Sequence, residues 1–241
     1  SVEEILRELL RVLEEILKRI ADINEKLLRV SRKIVEDLKR LLDEALRVLR
    51  RAVEEIEKEG RDEKEKEKMR RVLEKLTKEV EDLKKKIEDV LRETEELSRR
   101  LKEELKDILR RLAKAVEDIE RRRLDKEKVK KLLEDILREI ERVIRESLRL
   151  AEEDVRKLEE IIKEILDLIE RAIRIVEEEA GRDERLREIL EELERVLEKV
   201  MRDLRRILRE YEEVLKEARE EYRKILEELR KVLKEVDDRL R

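Results

Sequence analysis

An all-α fold, an elongated up-down-up-down bundle of four nearly straight helices, is what the sequence predicts, and three observations predict it. Charged residues fill 57% of the 241 positions while apolar ones fill 39%, nearly all of them aliphatic. The apolar positions recur at helical spacing, and only two glycines and no proline interrupt them. Ordinary globular chains are roughly a quarter charged. Disorder or long amphipathic helices could raise that fraction, and a disordered chain lacks this much Leu, Ile and Val.

The first helix is expected over residues 2–59. Ser1 and Glu4 form a capping box ahead of it. Val2, Ile5, Leu9, Val12, Ile16 and Ile20 then step by three or four, a pattern that runs again from Ile20 to Leu38 and from Leu38 to Ile56. Eighteen residues in five turns is the spacing of a straight helix, so little supercoiling follows. Gly60 closes this helix in the left-handed conformation, and Asp62 caps the second, over 63–121, with Glu65 three positions on. Met69, Ile87 and Leu105 carry the repeat there. Asp125 starts the third helix, over 126–180, with Leu124 and Val129 placed as a hydrophobic staple; Leu132, Leu150 and Leu168 continue it. The phrase around Gly181 and Asp183 repeats the first turn, and the fourth helix, over 184–240, carries Ile189, Ile207 and Ile225. Each helix would be about 85 Å long. The stripes suit helices facing a shared core, and short turns make neighbours antiparallel, so residues 1–241 are read as one domain.

Composition excludes much chemistry. Without Cys or His there is no thiolate nucleophile, disulfide, zinc finger, Ser-His-Asp triad or histidine-held haem, and no cofactor is expected. The 67 basic and 71 acidic residues are interleaved, which disfavours a nucleic-acid partner. No run approaches the about 18 apolar residues of a membrane span, and no charged segment followed by an apolar run opens the chain, so a soluble protein without a leader is expected. No partner is expected, and a monomer is the primary reading. Weak self-association through the first helix, which has 27 apolar residues against 19 in the second, is the alternative.

The informative positions are those where the repeat asks for a hydrophobe and receives something else. Asn24 and Ser31 stand in leucine series of the first helix. Thr94 lies between Leu76 and Leu112, Ser98 between Val80 and Val116, Ser147 between Val129 and Ile165, and Asp154 between Ile136 and Ala172. Tyr211 lies between Leu193 and Leu229, and Tyr222 follows Leu186 and Leu204. Reflecting the chain at each turn makes facing positions add to about 121, 248 and 363; at the 1.5 Å rise per residue, Asn24, Thr94, Ser98, Asp154 and Tyr211 then share about 6 Å of axis. Ser31 and Ser147 flank that layer. Tyr222 falls off it and, with Met201, reads as core filling.

Strict eighteen-residue spacing, Glu/Lys/Arg-saturated outer faces, near-identical Gly-Arg-Asp turns and caps at the helix starts resemble a parametrically designed, de novo single-chain four-helix bundle. The resemblance covers the whole chain, and it implies a scaffold without a natural substrate. On that reading the polar layer is a hydrogen-bond network in which Asp154 accepts, the Tyr211, Thr94 and Ser98 hydroxyls donate, and the Asn24 amide does both. It would fix register, because a misplaced buried polar group costs about 1–3 kcal/mol. The alternative is a small-molecule pocket at the bundle midpoint beside Ala21 and Ala151, with Asp154 pairing a cationic or hydrogen-bonding ligand. Catalysis and metal binding are not expected, because one inward carboxylate supplies neither an acid/base pair nor a ligand set.

Overall fold

The computed structural model describes residues 2–58, 62–121, 125–180 and 184–239. These form four α-helices, α1 (Val2–Lys58), α2 (Glu63–Glu120), α3 (Lys126–Ala180) and α4 (Glu184–Arg239), with no strand among the described residues. The boundaries agree with those expected to within a residue. Two starts are visible in the backbone: the carbonyls of Asp62 and Asp125 accept from the Lys66 and Val129 amides at 3.1 Å, which is what an N-cap carbonyl does. Ser1, Gly60, Leu124, Gly181 and Asp183 lie outside the described residues. No helix is long and apolar enough to cross a membrane among the residues described.

The chain divides into two compact units, each drawing on all four helices. The first comprises Ser1–Val30, Glu93–Glu153 and Glu212–Arg241. Its core is the inward stripe of each segment: Ile16 and Ile20 on α1, Leu105 and Ile108 on α2, Ile136 and Ile140 on α3, Ile225 and Leu229 on α4, all buried. Ion pairs along the seams give the order of its helices. Arg7 and Glu25 of α1 meet Glu120 and Lys102 of α2, and Glu104 and Arg111 of α2 meet Arg142 and Glu139 of α3. Lys130 and Glu152 of α3 meet Asp237 and Arg219 of α4, while Arg19 and Lys26 of α1 meet Glu228 and Glu217 of α4. At every seam, numbers rise on one helix as they fall on the other. Neighbours are therefore antiparallel, and α1 closes the ring with α4.

The second unit comprises Ser31–Arg92 and Asp154–Tyr211. Leu38 and Leu49 of α1, Leu73 and Ile87 of α2, Ile165 and Val176 of α3, and Leu186 and Val200 of α4 are buried in it. Lys39, Asp43 and Glu57 of α1 pair with Glu88, Lys84 and Arg70 of α2, and Glu79 and Lys86 of α2 pair with Arg171 and Glu164 of α3. Lys33, Glu44 and Arg51 of α1 pair with Glu210, Lys199 and Glu192 of α4. Most of these side chains are a third or more exposed, so each pair contributes little to stability and chiefly marks which residues sit side by side.

Candidate functional site

Polar groups inside the aliphatic stripes are grouped differently in the two units. In the first, Ser147 of α3 is buried and makes two hydrogen bonds: its hydroxyl donates to the Asn24 Oδ1 of α1, and its Oγ lies 2.9 Å from the Tyr222 hydroxyl of α4. A serine hydroxyl carries one proton. Because that proton goes to Asn24, the tyrosine must be the donor in the other bond. The chain of bonds therefore runs one way, from Tyr222 through Ser147 to Asn24. It ends with a surplus, since the buried Asn24 Nδ2 has no hydrogen-bond partner among the described residues.

In the second unit the buried Ser31 Oγ of α1 lies 3.3 Å from the hydroxyl of Tyr211 on α4. Asp154 of α3 is buried in the same unit, and its charge acts on that phenol. Burial, the largest effect, pushes Tyr211 up to about 12; the Ser31 hydrogen bond opposes this and the Asp154 charge adds to it. Tyr222 is likewise raised to about 12 by burial, against the Ser147 bond and with the charge of its neighbour Glu221. Both phenols are 1% exposed and stay protonated at neutral pH, as Tyr222 must to donate to Ser147.

Of the remaining candidates, Thr94 is buried on α2, whereas Ser98 is only half-buried and joins neither group of bonded hydroxyls. Thr77, at the edge of its stripe, donates to the Leu73 carbonyl at 2.9 Å. Met201 is not core: it is 37% exposed. Tyr222 is more than core filling, since its hydroxyl has a specific acceptor.

Why reflection misplaced Tyr222 can be read from the seams. It set Tyr222 opposite position 141, but the bond is to Ser147; it set Tyr211 opposite position 25, but the bond is to Ser31. Both differ by six residues. The α1–α2 ion pairs carry the same offset. Arg7–Glu120 and Glu25–Lys102 in the first unit, and Lys39–Glu88, Asp43–Lys84 and Glu57–Arg70 in the second, have residue numbers adding to 127 rather than 121. Helical side chains lean toward their own N-terminus. In the antiparallel α1–α2 pair the leans oppose, so tips meet when the backbones are staggered; the α2–α3 ion pairs, adding to 246–250 against a reflected value of about 248, show no such offset. Six residues is about 9 Å, a lean of about 4.5 Å each between two long side chains such as Arg and Glu, whereas in the Tyr–Ser bonds the long tyrosine supplies most of it. In the first unit α1 and α3 run parallel and lean the same way. There the bonded pair Asn24 and Ser147 departs from the reflection by one turn only.

Comparison with family models, with curated proteins and with solved structures gives no match. Among the described residues no group of three or more carboxylates comes together as a metal site. One groove of about 320 Å³ runs between α2 and α3 in the second unit, floored by Leu83 and Leu168 and walled by the Lys86–Glu164 and Glu79–Arg171 pairs. Another, of about 300 Å³, lies between Leu133 of α3 and Leu233 of α4 in the first unit. Neither includes a residue of the bonded hydroxyl groups.

Proposed function

We propose that this chain is a designed structural scaffold, in which eighteen-residue aliphatic repeats supply stability and the buried hydroxyl groups fix how the helices pair. The observation that carries the reading is that interior polar side chains are placed to bond one another: Tyr222 to Ser147 to Asn24 in one unit, and Tyr211 to Ser31 in the other. A helix that slips or rotates separates these partners and strands each in a hydrocarbon interior, at about 1–3 kcal/mol per group. An aliphatic stripe carries no such penalty, because leucine meets leucine in many registers. Buried asparagine in coiled coils is the precedent for stability given up for a unique pairing. The pocket reading has less support, because the hydroxyls of both groups are turned toward protein partners. The absence of matching relatives is consistent with a designed origin.

The experiment restores the repeat. In Asn24→Leu, Ser31→Leu, Ser147→Ile, Tyr211→Leu and Tyr222→Leu combined, the denaturation midpoint should hold or rise, while spin-label distances between α3 and α4 should spread into several populations. A single narrow distance, unchanged from the parent, refutes the register role.

A further inference from the structure

We infer that the volume filled by the Tyr222 ring is a ready-made site for a phenol, with Ser147 Oγ as its acceptor. The ring is 1% exposed, and its hydroxyl sits 2.9 Å from an oxygen whose own proton is already committed to Asn24. That oxygen must receive a proton from whatever occupies the space. The walls along the same helices are apolar: Ala218 and Ile225 stand one turn either side of Tyr222 on α4, and Ile144 and Ala151 do so beside Ser147 on α3, all buried. Along α3 and α4 the site is thus aliphatic, and the Ser147 oxygen that faces the phenol accepts and does not donate. Tyr222→Ala removes the phenol moiety and leaves the β-carbon, so the missing piece is phenol itself, which is neutral at pH 7. Apolar cavities made by such truncations in well-packed cores stay dry and take up aromatic ligands.

The test uses the full chain carrying Tyr222→Ala, with phenol and benzene as probes. Phenol should raise the lowered denaturation midpoint progressively with concentration, as a ligand of the folded state does, and should bind about tenfold more tightly than benzene by calorimetry, the worth of one satisfied hydrogen bond. Adding Ser147→Ala should erase that preference while leaving benzene binding, and Tyr222→Leu, which refills the slot, should bind neither probe. Should Tyr222→Ala not fold unaided, helical circular dichroism regained with phenol but not with benzene counts as the same result. Equal affinity for the two probes, equal phenol binding by the parent chain, or an unfolded variant that phenol does not rescue would each overturn the inference.

Discussion

The two units solve one problem with different chemistry. In the first, the polar set is neutral and directional, a buried tyrosine donating to a buried serine that donates to the amide of the half-buried Asn24. In the second, a hydroxyl pair is accompanied by a buried carboxylate whose charge bears on the tyrosine. A neutral chain needs its members in one order and tolerates a left-over donor at its end, whereas a carboxylate in the interior must be satisfied or its desolvation dominates. The difference shows that burying a phenol is the common element, and that what surrounds it is what varies.

Truncation should give the largest effect and the least difference. Tyr211→Ala and Tyr222→Ala should each lower stability by about 3–5 kcal/mol in guanidinium melts, because a cavity of aromatic size dominates the loss. A gap between them as large as the effect itself would mean that one ring is not packed as described.

Alkaline titration comes next. An unfolded tyrosine ionises near 10 and each folded one near 12, so burial is fully stabilising relative to the ionised form below pH 10. Between 10 and 12 the unfolded chain sheds protons that the folded chain keeps, and stability falls by up to about 3 kcal/mol per tyrosine, two units at 1.36 kcal/mol each. A model-peptide lysine ionises at about 10.4, inside the same window. The useful measurement is therefore the parent minus each single Phe variant, a difference that should shrink as pH rises from 10 to 12 and stay flat below 10.

At neutral pH the Phe variants should separate the units. Tyr211→Phe removes the phenol from Ser31 and should lower stability by about 1 kcal/mol. Tyr222→Phe should lower it less, because Ser147 keeps its bond to Asn24 and no donor is stranded. Equal losses in chemical melts would collapse the distinction. The carboxylate can be tested by absorbance at the tyrosinate band, where the chain has only two chromophores. Asp154→Asn should lower the Tyr211 titration midpoint and leave that of Tyr222 unmoved. Smallest of all is the surface. Lys39, by hydrogen bond and by charge, holds the exposed Glu88 carboxyl below its ordinary value. Lys39→Ala should return that carboxyl upward in an NMR titration with no measurable change in the denaturation midpoint.

Much of this was legible from periodicity. A stripe at 3.6 residues per turn can be satisfied only by a helix with one buried face, and the breaks in the stripe named Ser31, Thr94, Ser147, Asp154 and Tyr211, all of which are buried. The role of Tyr222 was not legible. Sequence spacing locates Cα atoms along an axis, but a hydrogen bond is made by the far end of a side chain. For tyrosine that end lies several ångströms toward the N-terminus. Ser98 is only half-buried although Val80, at the same wheel position one repeat earlier, is buried; a serine has little apolar surface to draw it inward. Met201 shares its eighteen-residue series with Asp183, Arg219 and Asp237, so its position belongs to the charged flank of the stripe, and it is 37% exposed.

The stagger of the antiparallel seams also bears on how such a molecule could be stapled. Ion-pair partners adding to 127 across α1 and α2 are set by long side chains that each reach back along their helix. A disulfide has no such reach: it requires Cα atoms within about 4.4–6.8 Å and β-carbons nearly touching. Cysteines placed at the charged partners would start with their backbones about 9 Å out of step along the axis and could close only by sliding one helix past the other. Across α1 and α2 the pairs fit for covalent locking lie closer to the reflection value of about 121 than to the one the charges display, so there the salt-bridge map is the wrong ruler for choosing them. Across α2 and α3, where the pairs add to 246–250 against a reflected value of about 248, charge partners and facing backbones coincide.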